Sequence, residues 1–208
     1  MIWKSIRSTT LQRRSREFYW KCIHNTFRVG SFWSHVEHLE RNGTCQVCDA
    51  IESLEHIALE CNSPEQKLIW ALSEQLWLKK YDTWPTLNWG LILGCNVVKF
   101  RSPRGRDKGT TRLFRIVVSE SAHLIWRLRN ERVIQEKDAA SEQEIHNHWR
   151  KTINNRLHLD CVLTNNGKYG KRALKKALVK STWKKVLKDE DALPKEWYRE
   201  TRVLVGVG

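Results

Sequence analysis

Residues 45–61 read CQVCDAIESLEHIALEC and contain four residues of the types that bind zinc. Cys45 and Cys48 are separated by two residues, and His56 and Cys61 are separated by four. The short gap lets a tight turn direct both thiols at one ion, while the longer gap predicts a short helix with His56 and Cys61 on one face. Three thiolates and one imidazole fill a tetrahedral zinc site, so we expect one structural Zn²⁺ rather than a catalytic one.

Two simpler interpretations of these residues stay open at this point: a disulfide between Cys45 and Cys48, or four residues with no shared role. Zinc is favoured because both spacings occur within one short segment. The remaining cysteines, Cys22, Cys95 and Cys161, lie among apolar residues and are predicted to pack as free side chains rather than to bind metal. Scattered cysteines are typical of a reduced, intracellular protein, and we expect the nucleus or the cytoplasm.

The chain carries a formal net charge of +14, and most of the excess lies in its second half. Residues 101–208 hold 25 of the 37 Lys and Arg residues but only 13 of the 23 acidic residues. This asymmetry favours RNA or DNA as the partner, bound through phosphate contacts, although a well-solvated helical surface would give the same composition. We expect no membrane partner, because no apolar stretch approaches the roughly 18 residues of a membrane span.

Hydrophobic periodicity predicts an all-α fold, a helical module with a small Cys3His zinc knuckle. The loop-like, basic stretch KFRSPRGRDKGTTR marks a boundary. We therefore predict a helical zinc-binding domain at 1–98 with its knuckle at 45–61, a basic linker at 99–112, and a basic helical region at 113–208. The expected helices cover about residues 8–28, 31–41, 64–79, 87–93, 111–138, 142–160 and 171–188.

The strongest concentration of positive charge lies between residues 168 and 188. Its apolar stripe, which includes Leu174 and Leu178, is narrow for a membrane-surface helix, so we favour a helix that docks on the core and faces phosphates. The knuckle is acidic and carries no Lys or Arg, so its zinc is interpreted as a fold staple. The predicted nucleic-acid contacts are Lys168, Lys171, Arg172, Lys175, Lys176, Lys180, Lys184 and Lys185, with Arg104 and Arg106 from the loop.

Motifs of catalysis are missing from the sequence. It contains no glycine-rich phosphate-binding motif and no GxSxG nucleophile motif, and no histidine has an evident nucleophile beside it, so we predict that the protein is not an enzyme. Gly167 to Gly170 matches the GxxG of KH domains, but no flanking strands are predicted and a plain turn is favoured. Most helical tryptophans are expected in the core. These are Trp20, Trp33, Trp70, Trp77, Trp126, Trp149 and Trp183.

Three runs in residues 10–80 form a recognisable series: REFYWKCIHNTFRVGSFWSHVE, then CQVCDAIESLEHIALEC, then LIWALSEQLW. Together they resemble the reverse-transcriptase zinc-binding domain that lies C-terminal to the polymerase in non-LTR (LINE-like) retrotransposons, and the remainder is similar to the tail of fungal elements. The matching positions are Trp20, Lys21, His24, Cys45, Cys48, Glu52, Ser53, Glu55, His56 and Cys61.

This resemblance implies a zinc-binding accessory module that helps a retroelement polymerase hold template RNA or target DNA. The chain departs from a complete reverse transcriptase, because it has no Asp-Asp pair and no recognisable ribonuclease H acidic cluster. We therefore expect a detached, non-catalytic module that binds nucleic acid with low sequence specificity. The alternative is a helical protein-interaction module, or a vestigial retroelement fragment, with no nucleic-acid ligand.

Overall fold

The computed structural model of the protein describes residues 2–103, 105–200 and 202–206. Within these residues the fold is helical, with one two-stranded antiparallel hairpin that pairs Arg101 with Arg106 and Ser102 with Gly105. This confirms the predicted all-α class. The helices are α1 (Ile2–Ile6), α2 (Arg13–Ile23), α3 (Pro64–Leu78), α4 (Trp89–Leu93), α5 (Lys108–Val133), α6 (Glu142–Val162), α7 (Asn166–Tyr169) and α8 (Lys176–Trp183), and the strands are β1 (Arg101–Ser102) and β2 (Gly105–Arg106).

Short 3₁₀ helices and one π-helical turn connect the longer elements. The π turn covers His56–Glu60, inside the predicted knuckle. The 3₁₀ helices are Gly30–His35, Glu40–Gly43, Gly170–Arg172, Glu190–Ala192 and Trp197–Arg199.

Helix α5 is the centre of the molecule. Helices α2, α3, α4, α6 and α8 all pack against it, and its side chains are buried along most of its length. The Asp107 carboxylate starts the helix by accepting a hydrogen bond from the Thr110 N–H at 2.9 Å. Gly109 lets α8 approach closely, because a Cβ at this position would lie 2.4 Å from the Ser181 carbonyl oxygen.

Three helices meet at a buried tryptophan. The indole N–H of Trp149 in α6 lies 3.2 Å from Ser73 Oγ of α3 and 3.1 Å from Ser121 Oγ of α5, and the two hydroxyls lie 2.7 Å apart. Trp149, Trp77 and Trp183 are fully buried, as predicted. Because a buried indole N–H needs a partner, the two serines allow Trp149 to occupy the centre of the core.

Some predicted helix boundaries were wrong. The first long helix begins at Arg13 rather than near Ser8, and the predicted helix at 31–41 is two 3₁₀ turns. The predicted helix at 171–188 is shortened to α8. Gly170, just before the predicted helix, and Lys185, near its predicted end, have positive φ angles of 50° and 72°, which an α-helix does not accommodate.

The two predicted domains contribute to a single hydrophobic cluster. It contains Leu72 and Trp77 from the first segment and Phe114, Trp149 and Trp183 from the second. The central helix α5 begins at Lys108, inside the stretch predicted as a linker. The boundary at 99–112 is therefore crossed by core packing, and the loop that remains there is the hairpin of β1 and β2.

Candidate functional site

The first half of the knuckle is a tight turn that brings two cysteines together. The Cys45 carbonyl oxygen accepts a hydrogen bond from the Asp49 N–H at 2.8 Å, and the Cys45 N–H donates to the Ala50 carbonyl oxygen at 2.8 Å. Asp49 has a φ of 55°, the left-handed conformation that Asp tolerates better than most residues. A bridge between Thr44 and Ile51 closes the turn.

The second half of the knuckle is π-helical. The Cys61 N–H donates to the His56 carbonyl oxygen, five residues earlier, at 2.8 Å. The predicted short helix is present, but the wider π turn is what aligns residues spaced by five, because an α-helix turns in 3.6 residues. Ser53 supports the start of this turn, since its Oγ accepts a hydrogen bond from the His56 N–H at 2.9 Å.

All four predicted ligands lie together. One ligand atom from each of Cys45, Cys48, His56 and Cys61 lies within 4.8 Å of the other three, and this is a group that could hold a metal ion. The sulfur of Cys61 lies 3.6 Å from that of Cys45 and 3.9 Å from that of Cys48. A tetrahedron with Zn–S bonds of about 2.3 Å has S···S edges of about 3.8 Å, so the spacing fits zinc. The thiols are free, so no disulfide joins Cys45 to Cys48.

The imidazole of His56 is oriented for ligation. Its Nε2 atom is buried and has no hydrogen-bond partner in the protein, which is costly unless a metal or another group satisfies it. Its Nδ1 atom lies 3.8 Å from a carboxylate oxygen of Glu60, one π turn away. At this distance the carboxylate lies near the far nitrogen without forming a hydrogen bond to it.

The thiols differ in their environments. The Asn62 N–H, 3.1 Å from the sulfur of Cys48, holds the pKa of the Cys48 thiol below its usual value. Burial raises the pKa of the Cys61 thiol to about 11. A bound zinc ion deprotonates its thiol ligands outright, so the metal rather than the protein would control the charge of Cys61.

Two buried acidic residues, Glu52 of the knuckle and Glu65 at the start of α3, pair with arginines of helix α5. Glu52 is buried and forms a bidentate ion pair with Arg129, whose guanidinium also donates to the Asn42 carbonyl oxygen at 3.2 Å. Glu65, which is also buried, lies 3.7 Å from Arg132, one helical turn further along α5. The sequence showed the acidic residues but not their arginine partners, because no local pattern in residues 45–66 indicates a contact with α5.

The three cysteines predicted not to be ligands are buried away from this cluster. Burial raises the pKa of the Cys22 and Cys95 thiols to about 12 and that of Cys161 to about 11. The sulfur of Cys95 lies 3.7 Å from the Tyr19 hydroxyl. Protonated thiols in apolar surroundings behave as small hydrophobic side chains, which agrees with the predicted role.

The predicted phosphate-binding residues are mostly exposed. Lys168 and Lys171 lie in α7 and the 3₁₀ turn after it, and Arg172 ends that turn. Lys176 and Lys180 lie in α8, whose buried face is formed by Val179, Thr182 and Trp183. Lys175 precedes α8, and Lys184 and Lys185 follow it, so the charges are spread over several elements rather than along one helix. Lys180 is half-buried; the other seven are exposed.

An open groove of about 630 Å³ joins two of these lysines to residues that were not predicted. Lys168 and Lys176 line it together with His158, Tyr198 and Arg199. The ammonium of Lys176 lies 5.5 Å from the centre of the Tyr198 ring. The groove therefore combines positive charge with an aromatic side chain, and the sequence signal for it was the LPKEWYRE segment near the end of the chain.

The loop residues and the GxxG segment complete the set. Arg106 is exposed on strand β2, whereas Arg104 lies outside the described residues. The GxxG segment forms the short helix α7, with Asn165 Oδ1 accepting from the Lys168 N–H at 3.0 Å. In the described part of the chain no strand flanks it, so a KH-like clamp is not supported, and the predicted plain turn is a single helical turn.

Comparisons with protein-family models, with curated proteins and with solved structures found no match. Among the described residues no helix is both long and apolar enough to cross a membrane.

Proposed function

We propose that this protein is a zinc-stabilised, non-catalytic module that binds RNA or DNA through phosphate contacts with little sequence preference. The Cys3His cluster supports zinc as the metal, since tetrahedral sites rich in thiolates prefer zinc. Three features of the cluster fit this metal: the spacing of the sulfur atoms, the His56 Nε2 atom without a hydrogen-bond partner, and the free thiols. With four protein ligands the ion has no open position for substrate, so its role is structural.

The charge distribution supports the nucleic-acid ligand. Glu52 of the knuckle and Glu65 of α3 are paired with arginines of α5, whereas residues 168–188 contain nine Lys and Arg residues and no acidic residue. Exposed, flexible lysines attract phosphates from any sequence, and their binding energy falls with salt as counterions are released. The resemblance to the zinc-binding domain of non-LTR reverse transcriptases supports an accessory role beside a retroelement polymerase.

A salt series tests this proposal. Lys175, Lys176, Lys184 and Lys185 are changed together to Gln, and binding of a labelled single-stranded RNA is measured by fluorescence anisotropy from about 50 to 200 mM salt. Each lost phosphate contact on a single strand removes about 0.7 from the slope of log K against log salt, so the slope should flatten by up to about 3.

The matched control changes four exposed lysines outside the proposed site, Lys99, Lys137, Lys151 and Lys195, to Gln. It removes the same charge and should leave more of the slope intact. An equal slope in both variants would mean that net charge alone attracts RNA. Undetectable binding by the parent protein at low salt would reject the nucleic-acid function and favour the protein-interaction or vestigial alternative.

A further inference from the structure

Three aromatic rings are gathered on the surface at the start of the chain. The side chains of Trp3 in α1 and Trp20 in α2 have exposed fractions of 53% and 47%. Their rings both contact His24, with centroid distances of 4.9 Å from Trp3 and 4.2 Å from Trp20. Trp20 was predicted to lie in the core, and this prediction was wrong, because the buried face of α2 is formed by Ser15, Phe18, Tyr19 and Cys22.

A groove of about 670 Å³ lies between α1 and α2 beside these rings. Trp3, Trp20 and Ile6 line it with apolar surface, and Arg7, Arg16 and Lys21 line it with positive charge. Its size falls in the range of about 300–1,000 Å³ that small ligands occupy. A purely apolar groove would fit a protein helix, but three cations around two indoles fit an anionic aromatic ligand better.

The charges around the groove are available to a ligand. The acid that lines it, Glu17, is paired with Arg13 at 2.9 Å, which leaves the groove cations without that carboxylate as a partner. Arg16 also donates to the Ser8 carbonyl oxygen at 3.4 Å, and the ammonium of Lys21 lies 5.6 Å from the centre of the Phe27 ring, so neither contact occupies these cations with a carboxylate. The arrangement therefore offers flat rings for stacking with donors for phosphate at their sides.

We infer that Trp3 and Trp20 form a base-stacking site for single-stranded nucleic acid. Unpaired bases stack on exposed aromatic side chains while basic residues follow the backbone, and this mode tolerates any sequence because every base has a flat face. Bases in a duplex are already stacked on each other, so the site discriminates single strands from duplexes. The inference rests on the proposed nucleic-acid function and gives it a second, salt-independent component.

An abasic oligonucleotide separates stacking from phosphate contacts. Anisotropy titrations compare a 12-nucleotide single-stranded DNA of mixed sequence with a strand of the same length that keeps the phosphates but lacks the bases. The parent should bind the normal strand more tightly, by roughly 5- to 150-fold for each stacked base. Trp3→Ala/Trp20→Ala should lose most of this preference while keeping the salt slope of the parent.

Two further variants protect the test. Trp3→Phe/Trp20→Phe keeps flat rings and should retain most of the preference, and Phe32→Ala removes an exposed ring, 42% exposed, that lies elsewhere. Circular dichroism and metal content confirm that each variant is folded. A Trp3→Ala/Trp20→Ala protein that discriminates as the parent does would overturn the inference, and so would a parent that binds both strands equally. A parent that binds neither strand would overturn the inference and the proposed function together.

Discussion

Breaking the ion pair between Arg129 and Glu52 from one side should cost more stability than breaking any other side-chain pair of the knuckle. The side chains of Arg129 and Glu52 are only 4% and 2% exposed, and the guanidinium also satisfies the Asn42 carbonyl. In Arg129→Leu the carboxylate and this carbonyl lose their partner in a site that water does not reach. Breaking a buried pair from one side costs about 3–5 kcal/mol, which in a chain of this size lowers Tm by about 6–20 °C.

The same helix provides a matched control. Arg127, two residues earlier, lies 3.6 Å from Glu131 in a pair whose side chains are 43% and 27% exposed. Such pairs contribute about 0–1 kcal/mol, so Arg127→Leu should be nearly neutral. Removing both members of the buried pair, in Arg129→Leu/Glu52→Leu, leaves no unpaired charge and should recover much of the lost stability.

Urea unfolding and thermal melts with excess zinc measure these differences, and chelator competition reports whether the knuckle still holds its metal. If Arg129→Leu lowers the free energy of unfolding no more than Arg127→Leu does, the interpretation of Arg129 and Glu52 as a buried ion pair shielded from water is wrong. If the double variant is as unstable as the single one, the loss comes from packing rather than from an unpaired carboxylate.

Two further predictions concern the metal and pH. Elemental analysis of protein purified without chelator should find one equivalent of zinc. The Cys48→Ser variant should lose most of this zinc, whereas a variant with Cys22, Cys95 and Cys161 all changed to Ala should keep it. Metal loss in the triple variant would contradict the assignment of the ligands. Burial and the charges of Arg14 and Arg127 lower the pKa of His123 to about 4. The unfolded chain, with a His pKa near 6.5, therefore binds the proton first as the pH falls. The contribution of neutral His123 to the free energy of unfolding is thus present above about pH 6.5 and is lost as the pH falls toward 4. His123→Gln should flatten this fall in urea titrations between about pH 6.5 and 4, and an unchanged pH profile would show that other groups control it.

Local sequence signals were reliable where they describe one element. Ser63 and Pro64 start α3 as predicted, and Ser141 with Glu144 forms the predicted capping box at the start of α6. The spacing brought out the four candidate ligands that the structure places together, because a site within seventeen residues is encoded almost entirely in the local chain.

Features that depend on distant partners were not predictable from local pattern. The carbonyls of Ser181, Thr182 and Lys184, at the end of α8, accept hydrogen bonds from the ammonium of Lys80 at 2.6–3.1 Å. This contact ends the helix where the run of lysines suggested that it continued. A charged residue in the sequence gives no sign of whether it caps a remote helix or faces water.

The buried charges of α5 and α6 could not be predicted for the same reason. Arg112 is bidentate to Asp160 of α6, which also accepts from the Trp183 indole at 2.9 Å, and Arg156 lies 3.3 Å from the same carboxylate. Arg112 and Arg129 of α5 are satisfied by carboxylates that arrive from other elements, whereas Arg156 and Asp160 pair within α6. Only the tertiary structure shows which of these charges are buried and how they are matched.

The position of the knuckle also defines what its metal can contribute to ligand binding. Gly30, after α2, has a φ of 55°, and a Cβ there would lie 2.3 Å from the Glu52 carbonyl oxygen, so the segment after α2 runs directly against the knuckle. Glu52 in turn anchors to α5 through Arg129. The turn that could hold the metal is thus placed to keep the end of α2, the helix that carries Trp20, against the central helix. Between Cys45 and Gln66 the chain has no Lys or Arg that could attract a phosphate. Any influence of the knuckle on a nucleic-acid strand would therefore act through the position of α2 rather than through direct contact between the knuckle and the strand.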